Sequence, residues 1–281
     1  MLIFRTQKEL QNHLNSNPKK NSLGLVPTMG ALHNGHLELV RTAVLQNKTV
    51  VVSIFVNPTQ FDKKEDLEKY PKTFEADKRL LETVSNDLII FAPSETEIYG
   101  NAIESKTYDF DGLDKVMEGA FRDDHFNGVG TIVETLLKLV QPTRAYFGEK
   151  DYQQLQIIKK LVSSQQIPVE IVPCPIVREQ HGLAMSSRNE RLSKETRLKA
   201  GYIYQILQAA KIKFGTKSAS YVKDWVAKEF ENYRELELEY FEMTEAENLL
   251  PVIEKSIDKK YRAFIAVYAD GVRLIDNIAL N

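Results

Sequence analysis

The stretch SLGLVPTMGALHNGHLELVRTAVL, residues 22–45, changes hydrophobic pattern near its middle. Its first part is apolar and predicts a strand, and from Gly35 onward the apolar residues recur at the spacing of an amphipathic helix. His33 and His36 lie at the change. Open α/β sheets bind ligands where a strand ends and a helix begins, and the free N–H groups of that helix attract phosphate. The stretch therefore predicts a strand–loop–helix unit that binds an anion.

The two histidines allow three interpretations. His33 and His36 lie one helical turn apart, so both rings could donate hydrogen bonds to the same anion. They could instead form a helix cap with two solvent-exposed histidines. Zinc is the third possibility, but the chain has only five histidines and one cysteine, and no further ligand stands at a suitable spacing.

The rest of the chain predicts an α/β fold with a smaller α+β domain. Up to about residue 175, short apolar runs alternate with helical patterns, which indicates βαβ units and a doubly wound parallel sheet. Two helices then precede three strand-like runs. Pro173 and Pro175 interrupt the last run of the first part, so we place one domain at residues 1–175 and the other at 176–281. The predicted strands are SLGLV, TVVVSIFV, DLIIFA, RAYFG, IPVEIVP, LELEYFEM, YRAFIAVYA and VRLIDNI, and residues 57–74 form an unusually long polar loop. The predicted helices are HLELVRTAVLQN, FEADKRLLETVS, GVGTIVETLLKLV and DYQQLQIIKKLVSSQ in the first domain, and about residues 198–214 and 221–233 in the second.

Composition excludes several classes of partner and places the protein in the cytoplasm. The net charge is −2, so the chain lacks the basic excess that nucleic acid or an anionic membrane would require. The first residues do not resemble a signal peptide, and no segment reaches membrane-spanning length. The only cysteine, Cys174, excludes an intramolecular disulfide and fits a reducing compartment. Its apolar neighbours predict a small buried side chain.

Chemically useful side chains follow other predicted strands. In YFGEKDYQQL, Gly148 ends a strand and Lys150 and Asp151 open the next helix, although this pair alone could be a solvated helix start. Asn57 and Gln60 follow the second strand. The loop residues Ser186, Ser187 and Arg188 combine two hydroxyls with a guanidinium, which suits phosphate oxygens. Taken alone, SSRN is also typical of a turn.

Together these motifs resemble a known family. PTMGALHNGH resembles the H-x-G-H signature of nucleotidyltransferases, whose histidines contact ATP phosphates. In this longer form it is similar to pantothenate synthetases (pantoate–β-alanine ligases). The resemblance extends along the chain through SIFVNPTQF, EDLEKYPKT, HFNGVGTIV, YFGEKDYQQL, VREQHGLAMSSRN and RLIDN. It implies that residues 1–175 form a Rossmann-like domain that binds ATP and pantoate, and that residues 176–281 form a lid.

The resemblance also assigns site residues. The catalytic residues would be His33, His36, Lys150, Ser186, Ser187 and Arg188. The ATP-binding residues would be Met29, His36, Gly148, Lys150, Asp151, Val177, Met185, Ser186, Ser187 and Arg188. Pantoate would be bound by Met29, Asn57, Gln60 and Gln154, with Tyr70 and His125 as further family positions. Asp77 matches a position near the magnesium ion, which ATP phosphates would mainly hold. Asp123 and Asp124 replace the family's usual Pro-Gly and leave the geometry of that turn open.

The implied activity is the ATP-dependent condensation of pantoate with β-alanine through a pantoyl-adenylate, as part of pantothenate and coenzyme A biosynthesis. The substrates would be ATP, pantoate and β-alanine, with Mg²⁺, and the protein would be a homodimer. Two alternatives remain from the sequence. Another H-x-G-H nucleotidyltransferase, such as a cytidylyltransferase, would keep the histidines without needing the pantoate glutamines. A nucleotide-binding regulator would bind ATP without releasing pyrophosphate.

Overall fold

The computed structural model describes residues 1–16, 22–62 and 64–281. Lys63, in the predicted polar loop, therefore lies outside the described residues. The chain divides into two compact units. The first contains residues 1–149 and 153–175, and the second contains residues 150–152 and 176–281.

The first unit is built on a six-stranded parallel sheet, which confirms the predicted α/β class. Its strands are β1 (Leu2–Phe4), β2 (Leu23–Thr28), β3 (Thr49–Ile54), β4 (Ile89–Phe91), β5 (Arg144–Gly148) and β6 (Glu170–Cys174). The strand order is β1-β4-β3-β2-β5-β6. The helices are α1 (Gln7–Ser16), α2 (Asn34–Gln46), α3 (Lys64–Lys69), α4 (Phe74–Glu82), α5 (Glu95–Tyr99), α6 (Glu118–Phe121), α7 (His125–Val140) and α8 (Tyr152–Ser164).

Strand β1 and helices α1, α3, α5 and α6 were not predicted from the sequence. β1 has three residues, forms one edge of the sheet and leaves Leu2 and Ile3 exposed. The apolar run at residues 1–4 that contains it is too short to distinguish a strand from other structure. α3 lies inside the predicted polar loop and has no buried residue. A helix without an apolar face has no periodic signal to find.

The strand order reverses at β2, which pairs with β3 on one side and β5 on the other. Leu23 exchanges hydrogen bonds with Thr143 beside β5, so the backbone of Pro27, four residues later, faces the same side. Pro27 has no N–H to continue that ladder, and the β2–β5 register ends at Leu25. The sheet is therefore open between β2 and β5 at the carboxyl end of β2, while β2 stays paired with β3 up to Thr28. This is the switch point where such sheets bind ligands.

The helix α2 packs over this part of the sheet through a continuous apolar cluster. Leu37 and Val40 of α2 are buried with Val26 and Val52 of the central strands. Cys174 belongs to the same cluster and is 1% exposed. Burial raises the pKa of its thiol to about 11. The prediction of a small, buried cysteine side chain is thus confirmed.

The second unit has three antiparallel strands and three helices. The strands are β7 (Glu237–Glu245), β8 (Tyr261–Ala269) and β9 (Val272–Ala279), paired in that order. The helices are α9 (Lys194–Lys199), α10 (Tyr202–Phe214) and α11 (Ala219–Glu231). The sequence predicted a single helix from Leu198 to Phe214, whereas α9 ends before α10 begins. Gly201 lies at this break, where an added Cβ would lie 2.3 Å from the His181 carbonyl oxygen.

In the part of the chain that the structure describes, no helix is both long enough and apolar enough to cross a membrane.

Candidate active site

His33 and His36 cap the start of α2 reciprocally. The Nδ1 atom of His33 accepts the backbone N–H of Gly35 at 3.1 Å, and the Nδ1 atom of His36 accepts the backbone N–H of His33 at 3.3 Å. The ring centroids lie 4.0 Å apart. Because each Nδ1 uses its lone pair as an acceptor, the neutral rings carry their hydrogen on Nε2. The two histidines therefore cap the helix, although both are half-buried rather than solvent-exposed. Capping through Nδ1 makes both Nε2–H groups hydrogen-bond donors at a helix N-terminus.

The loop that carries these histidines is held by helix α4. Asp77 is 1% exposed, and its two carboxylate oxygens accept the backbone N–H groups of Ala31 and Leu32. The hydroxyl of Thr73 donates to the same carboxylate at 3.2 Å. Tyr70 contacts the loop from the same segment, with its hydroxyl 3.5 Å from the carbonyl oxygen of Gly30. The two family positions in this region thus contact the backbone of the histidine loop.

Asn57 and Gln60 form a connected pair after β3. The Asn57 amide donates to the carbonyl oxygen of Gly128 and to Gln60 Oε1, both at 3.1 Å. Its own oxygen accepts from the hydroxyls of Tyr99 and Thr59. Since a carbonyl can only accept, the Gly128 contact fixes the orientation of the Asn57 amide, and Asn57 in turn fixes that of Gln60.

Gln60 consequently presents its NH₂ group away from Asn57. Its Nε2 atom lies 2.9 Å from the sulfur of Met29. The structure therefore brings together Met29, Asn57 and Gln60, three of the four predicted pantoate residues. Gln154, the fourth, is half-buried near the start of α8.

His125 supports Gln60 through the Gln60 backbone. Its Nδ1 atom lies 2.8 Å from the Gln60 carbonyl oxygen, and its Nε2 atom lies 3.0 Å from an Arg122 nitrogen. A guanidinium can only donate, so Nε2 accepts and Nδ1–H donates. Burial and the neighbouring Arg122 lower the pKa of His125 to about 4, which keeps the ring neutral near pH 7.

The replacement of the usual Pro-Gly by Asp123 and Asp124 now has a local explanation. Asp124 adopts a left-handed conformation (φ 56°), which favours glycine but which aspartate also visits. Its carboxylate accepts hydrogen bonds from Ser105 and from Asn127. The turn thus keeps a backbone conformation suited to glycine. The hydrogen bonds of the Asp124 side chain stabilise this conformation where the family usually has glycine.

Lys150 and Asp151 lie in a 3-10 turn, Glu149–Asp151, directly after β5 ends at Gly148. The Lys150 ammonium lies 3.2 Å from the Asp151 carboxylate, and its side chain is 17% exposed. The Lys150 carbonyl oxygen accepts a hydrogen bond from Asn277 of β9 at 2.8 Å. The turn is therefore attached to the sheet of the second unit through its backbone.

The second unit brings five of the predicted ATP-binding residues together on one hairpin. The backbone N–H of Met185 donates to the carbonyl oxygen of Val177 at 2.9 Å. Ser186 follows directly and caps a 3-10 turn, Ser187–Arg191, by accepting the N–H of Arg188. Val177 and Met185 are thus neighbours, and the two serines and Arg188 lie at the end of the same hairpin.

Asn189, in the quoted SSRN motif, had no predicted role. It is 1% exposed and donates to Glu179 Oε1 and to the Ala184 carbonyl oxygen. Arg197 binds the same Glu179 carboxylate. Asn189 therefore fixes the serine turn against the hairpin. Its place beside the serines was the only signal in the sequence.

No group of three or more His, Cys, Asp or Glu residues that could hold a metal ion occurs among the described positions. The hydrogen bonds of both Asp77 oxygens to the backbone fit a role in holding the loop better than a role as a metal ligand. The described side chains therefore do not form a protein cage for Mg²⁺.

Comparison with known proteins agrees with this arrangement. Residues 2–279 match the family described as pantoate-beta-alanine ligase. The chain belongs to this family. Among the ligases most similar to it, the pantothenate synthetase of Christiangramia forsetii is 57% identical over 260 residues, covering 92% of each chain. That of Flavobacterium psychrophilum is 51% identical over 281 residues and covers both chains completely.

Solved structures of the ligase family match the whole chain. The pantothenate synthetase of Thermus thermophilus has a TM-score of 0.91 and 40% identity, covering 100% of this chain and 99% of that one. The pantoate-beta-alanine ligase of Francisella tularensis has a TM-score of 0.80 and 34% identity, covering 100% and 98%. That structure is a complex with beta-gamma ATP and beta-alanine.

Proposed function

We propose that the protein joins pantoate to β-alanine in two steps, the adenylation of pantoate and then the formation of the amide. A pantoate carboxylate oxygen attacks the α-phosphorus of ATP, and pyrophosphate leaves. The β-alanine amine then attacks the carbonyl carbon of pantoyl-adenylate, AMP leaves, and the nitrogen loses a proton. Activation is needed because a free carboxylate lacks a good leaving group. The observation that carries this proposal is the pair of Nε2–H donors at the start of α2, at the open end of β2.

We assign ATP to the anion-binding groups. His33 and His36 donate to phosphate oxygens, and Lys150 adds a positive charge. Such chemistry needs positioning and charge neutralisation more than covalent catalysis. The proposed ATP contacts are Met29, His36, Gly148, Lys150, Asp151, Val177, Met185, Ser186, Ser187 and Arg188.

We assign pantoate to Met29, Gln60 and Gln154. Asn57 is 1% exposed and its amide is fixed in orientation by its hydrogen bonds, so its role is to hold Gln60. His125 is 5% exposed and both ring nitrogens have partners, so we assign it the same supporting role.

Mg²⁺ enters this proposal with ATP. It would neutralise phosphate charge, and the ATP oxygens rather than Asp77 would hold it. We further propose that residues 1–175 form the ATP- and pantoate-binding domain, that residues 176–281 act as a lid that excludes water from the mixed anhydride, and that the protein is a cytoplasmic homodimer.

The test uses the two half-reactions. With β-alanine absent, the enzyme should exchange labelled pyrophosphate into ATP only when pantoate is present. AMP should accumulate catalytically only with all three substrates. Exchange without pantoate, or its absence with pantoate, would contradict the acyl-adenylate. Replacing ATP by CTP distinguishes a cytidylyltransferase, and tight ATP binding without pyrophosphate release would indicate a regulator.

A further inference from the structure

The motif RLIDN, residues 273–277, places two buried polar residues next to each other on β9. Asp276 is 4% exposed and Asn277 is 2% exposed. Nothing in the reaction described above uses either side chain. Buried polar groups are costly unless they are hydrogen-bonded, so their partners show what they do.

Asp276 and Asn277 reach opposite faces of the C-terminal sheet, because side chains alternate along a strand. Asp276 lies opposite Ile265 of β8, which belongs to the apolar cluster with α10 and α11. Asn277 lies opposite Phe264, whose ring packs against Tyr152. The two residues therefore contact different segments from one point of one strand.

Asp276 holds the hairpin that carries Val177 and Met185. Its carboxylate forms a bidentate pair with Arg178, at 2.5 and 3.0 Å. Arg178 also donates to the Gly182 carbonyl oxygen across the hairpin, and its guanidinium stacks 3.7 Å from the Tyr204 ring centroid. The planar fork of arginine fixes both distance and direction in such a pair.

Asn277 holds the turn that carries Lys150. Its Nδ2 atom donates to the Lys150 carbonyl oxygen at 2.8 Å. The guanidinium of Arg262 donates to Asn277 Oδ1, which fixes the amide so that its NH₂ group faces Lys150. The guanidinium of Arg262 also stacks over Tyr152, 3.9 Å from its ring centroid. Tyr152 follows Lys150 by two residues.

Stability alone is a weak reason for this arrangement. Burying an ion pair costs desolvation energy that the attraction often only repays. The Arg178–Asp276 ion pair and the Asn277 amide have a geometric effect in common. Each holds a different segment of the chain against β9, at two adjacent residues of that strand.

We propose that Asp276 and Asn277 are positioning residues that fix segments 150–152 and 177–188 relative to each other, so that their side chains meet one ATP molecule in register. This inference rests on the proposed ATP site. Catalytic groups must be held within about 0.5 Å of the productive geometry. The two residues contact no substrate and act through Arg178 and the Lys150 backbone.

The first test is Asn277→Asp, which preserves size and the acceptor for Arg262 but removes the donor to Lys150. We expect the pantoate-dependent pyrophosphate exchange rate to fall about tenfold or more, since misplacements of about 1 Å can cost roughly 10²-fold. The ATP KM should rise while the pantoate KM stays within about twofold. The Tm should fall by several degrees because a buried hydrogen bond is lost, so the exchange rate is measured well below the Tm of the variant. Exchange within about twofold of the wild-type rate would overturn the inference for Asn277. Asn277→Ala, expected to be impaired as well, checks that the added charge is not the cause.

The second test compares Asp276→Leu with the double variant Arg178→Met/Asp276→Leu. The single variant leaves a buried guanidinium unpaired and should unfold at a lower temperature. The double variant removes both charges and should regain much of the Tm. Positioning predicts that its exchange rate nevertheless stays about tenfold low. Recovery of both Tm and exchange rate would show that the pair serves stability only.

Two matched variants complete the design. Glu239→Gln weakens a different ion pair that involves the same strand, with Arg273, and should leave the exchange rate unchanged. Lys150→Met tests the ATP site itself. If it leaves exchange unchanged, the proposed site and this inference both fail. If it lowers exchange while Asn277→Asp does not, only the positioning role fails.

Discussion

Asp77 accepts the backbone N–H of Leu32 at 2.8 Å and that of Ala31 at 3.1 Å. A buried side chain of α4 thereby sets the path of the loop that leads from β2 to His33. The loop needs this support because Ala31 adopts a left-handed conformation with φ 48°, which costs a residue with a Cβ roughly 1–2 kcal/mol. The hydrogen bonds to Asp77 offset that cost.

Asp77→Asn should weaken this support without changing the size of the side chain. The amide nitrogen would face a backbone N–H, so one hydrogen bond is lost and two donors oppose each other. We expect the free energy of unfolding to fall by roughly 1–3 kcal/mol and kcat to fall about tenfold or more. Chemical denaturation and steady-state kinetics measure both changes.

Glu75→Gln is the matched control, because it also removes an acidic residue from the first turn of α4 but at an exposed position. Glu75→Gln should change neither the free energy of unfolding nor kcat appreciably. If Asp77 instead bound Mg²⁺, raising the magnesium concentration would restore the activity of Asp77→Asn, and the positioning role would be refuted.

Substitutions of His36 should separate its two ring nitrogens. Asn can place an acceptor near the position of Nδ1, whereas Gln can place a donor near that of Nε2. We expect His36→Ala to lose about 1 kcal/mol of stability as a missing cap and to lower kcat by roughly 10²–10³ as a missing donor. His36→Asn should recover mainly stability, and His36→Gln mainly rate.

Thermal melts and pantoate-dependent pyrophosphate exchange on the same preparations measure the two effects. A His36→Ala protein that is destabilised but fully active would leave capping as the only role of this histidine.

Gln60 should bind its substrate as a hydrogen-bond donor. Asn57 occupies Gln60 Oε1 at 3.1 Å. The Gln60 NH₂ group contacts the sulfur of Met29 at 2.9 Å and has a second hydrogen that can donate to pantoate. Gln60→Glu removes that donor, and we expect kcat/KM for pantoate to fall about 10- to 100-fold, because an unpaired buried group costs roughly 1–3 kcal/mol. The ATP KM should stay near the wild-type value. Loss of ATP binding instead would contradict the assignment.

Tyr99→Phe tests the indirect support of the Gln60 amide, because Tyr99 donates to Asn57 and Asn57 orients Gln60. Burial raises the pKa of Tyr99, so its hydroxyl remains a donor to Asn57. Thr59 also donates to this oxygen at 3.0 Å. We therefore expect a smaller rise of the pantoate KM than for Gln60→Glu, and an equal or larger one would show that Tyr99 acts in another way.

His125 should make the protein less stable in mild acid. Its pKa is about 4 in the folded protein and about 6.5 in an unfolded chain. Between these values the unfolded state binds a proton that the folded state does not, so stability falls as the pH falls from about 6.5 to about 4. The loss from this residue is about 3 kcal/mol.

The measurement is urea denaturation of the wild type and of His125→Asn at about pH 7, 6, 5 and 4.5, which spans the window between the two pKa values. Asn retains a donor for the Gln60 carbonyl oxygen but does not titrate. The difference in stability between the two proteins should shrink or reverse toward low pH. Parallel pH profiles would mean that His125 is not kept neutral by the fold.

Cys174→Ala should leave the enzyme active. The thiol is buried beside α2 and takes no part in the proposed chemistry, so we expect most of kcat to remain and the free energy of unfolding to fall by at most about 1–2 kcal/mol. A folded but inactive variant would indicate a function of the thiol.

Local patterns predicted most of the fold. The central strands of both sheets and the helices α2, α4, α7, α8 and α11 have apolar residues at the appropriate period, and each appears close to its predicted place. The strand β1 and the helices α1, α3, α5 and α6 were not predicted. With three to six residues each, β1, α3, α5 and α6 are too short to show a period. The break between α9 and α10 depends on the close approach of Gly201 to His181, which no local pattern records.

The sequence by itself determined the family, the α/β class and the set of chemical groups, because these depend on residue type, order and spacing along one chain. Only the tertiary structure decided what each group can do. His33 and His36 use Nδ1 to cap a helix and keep Nε2 as a donor; Asp77, Asn57 and His125 are occupied in holding the groups beside them. Such roles depend on which atoms meet across long stretches of chain, and a hydrogen bond is satisfied or left open only when both partners are in place.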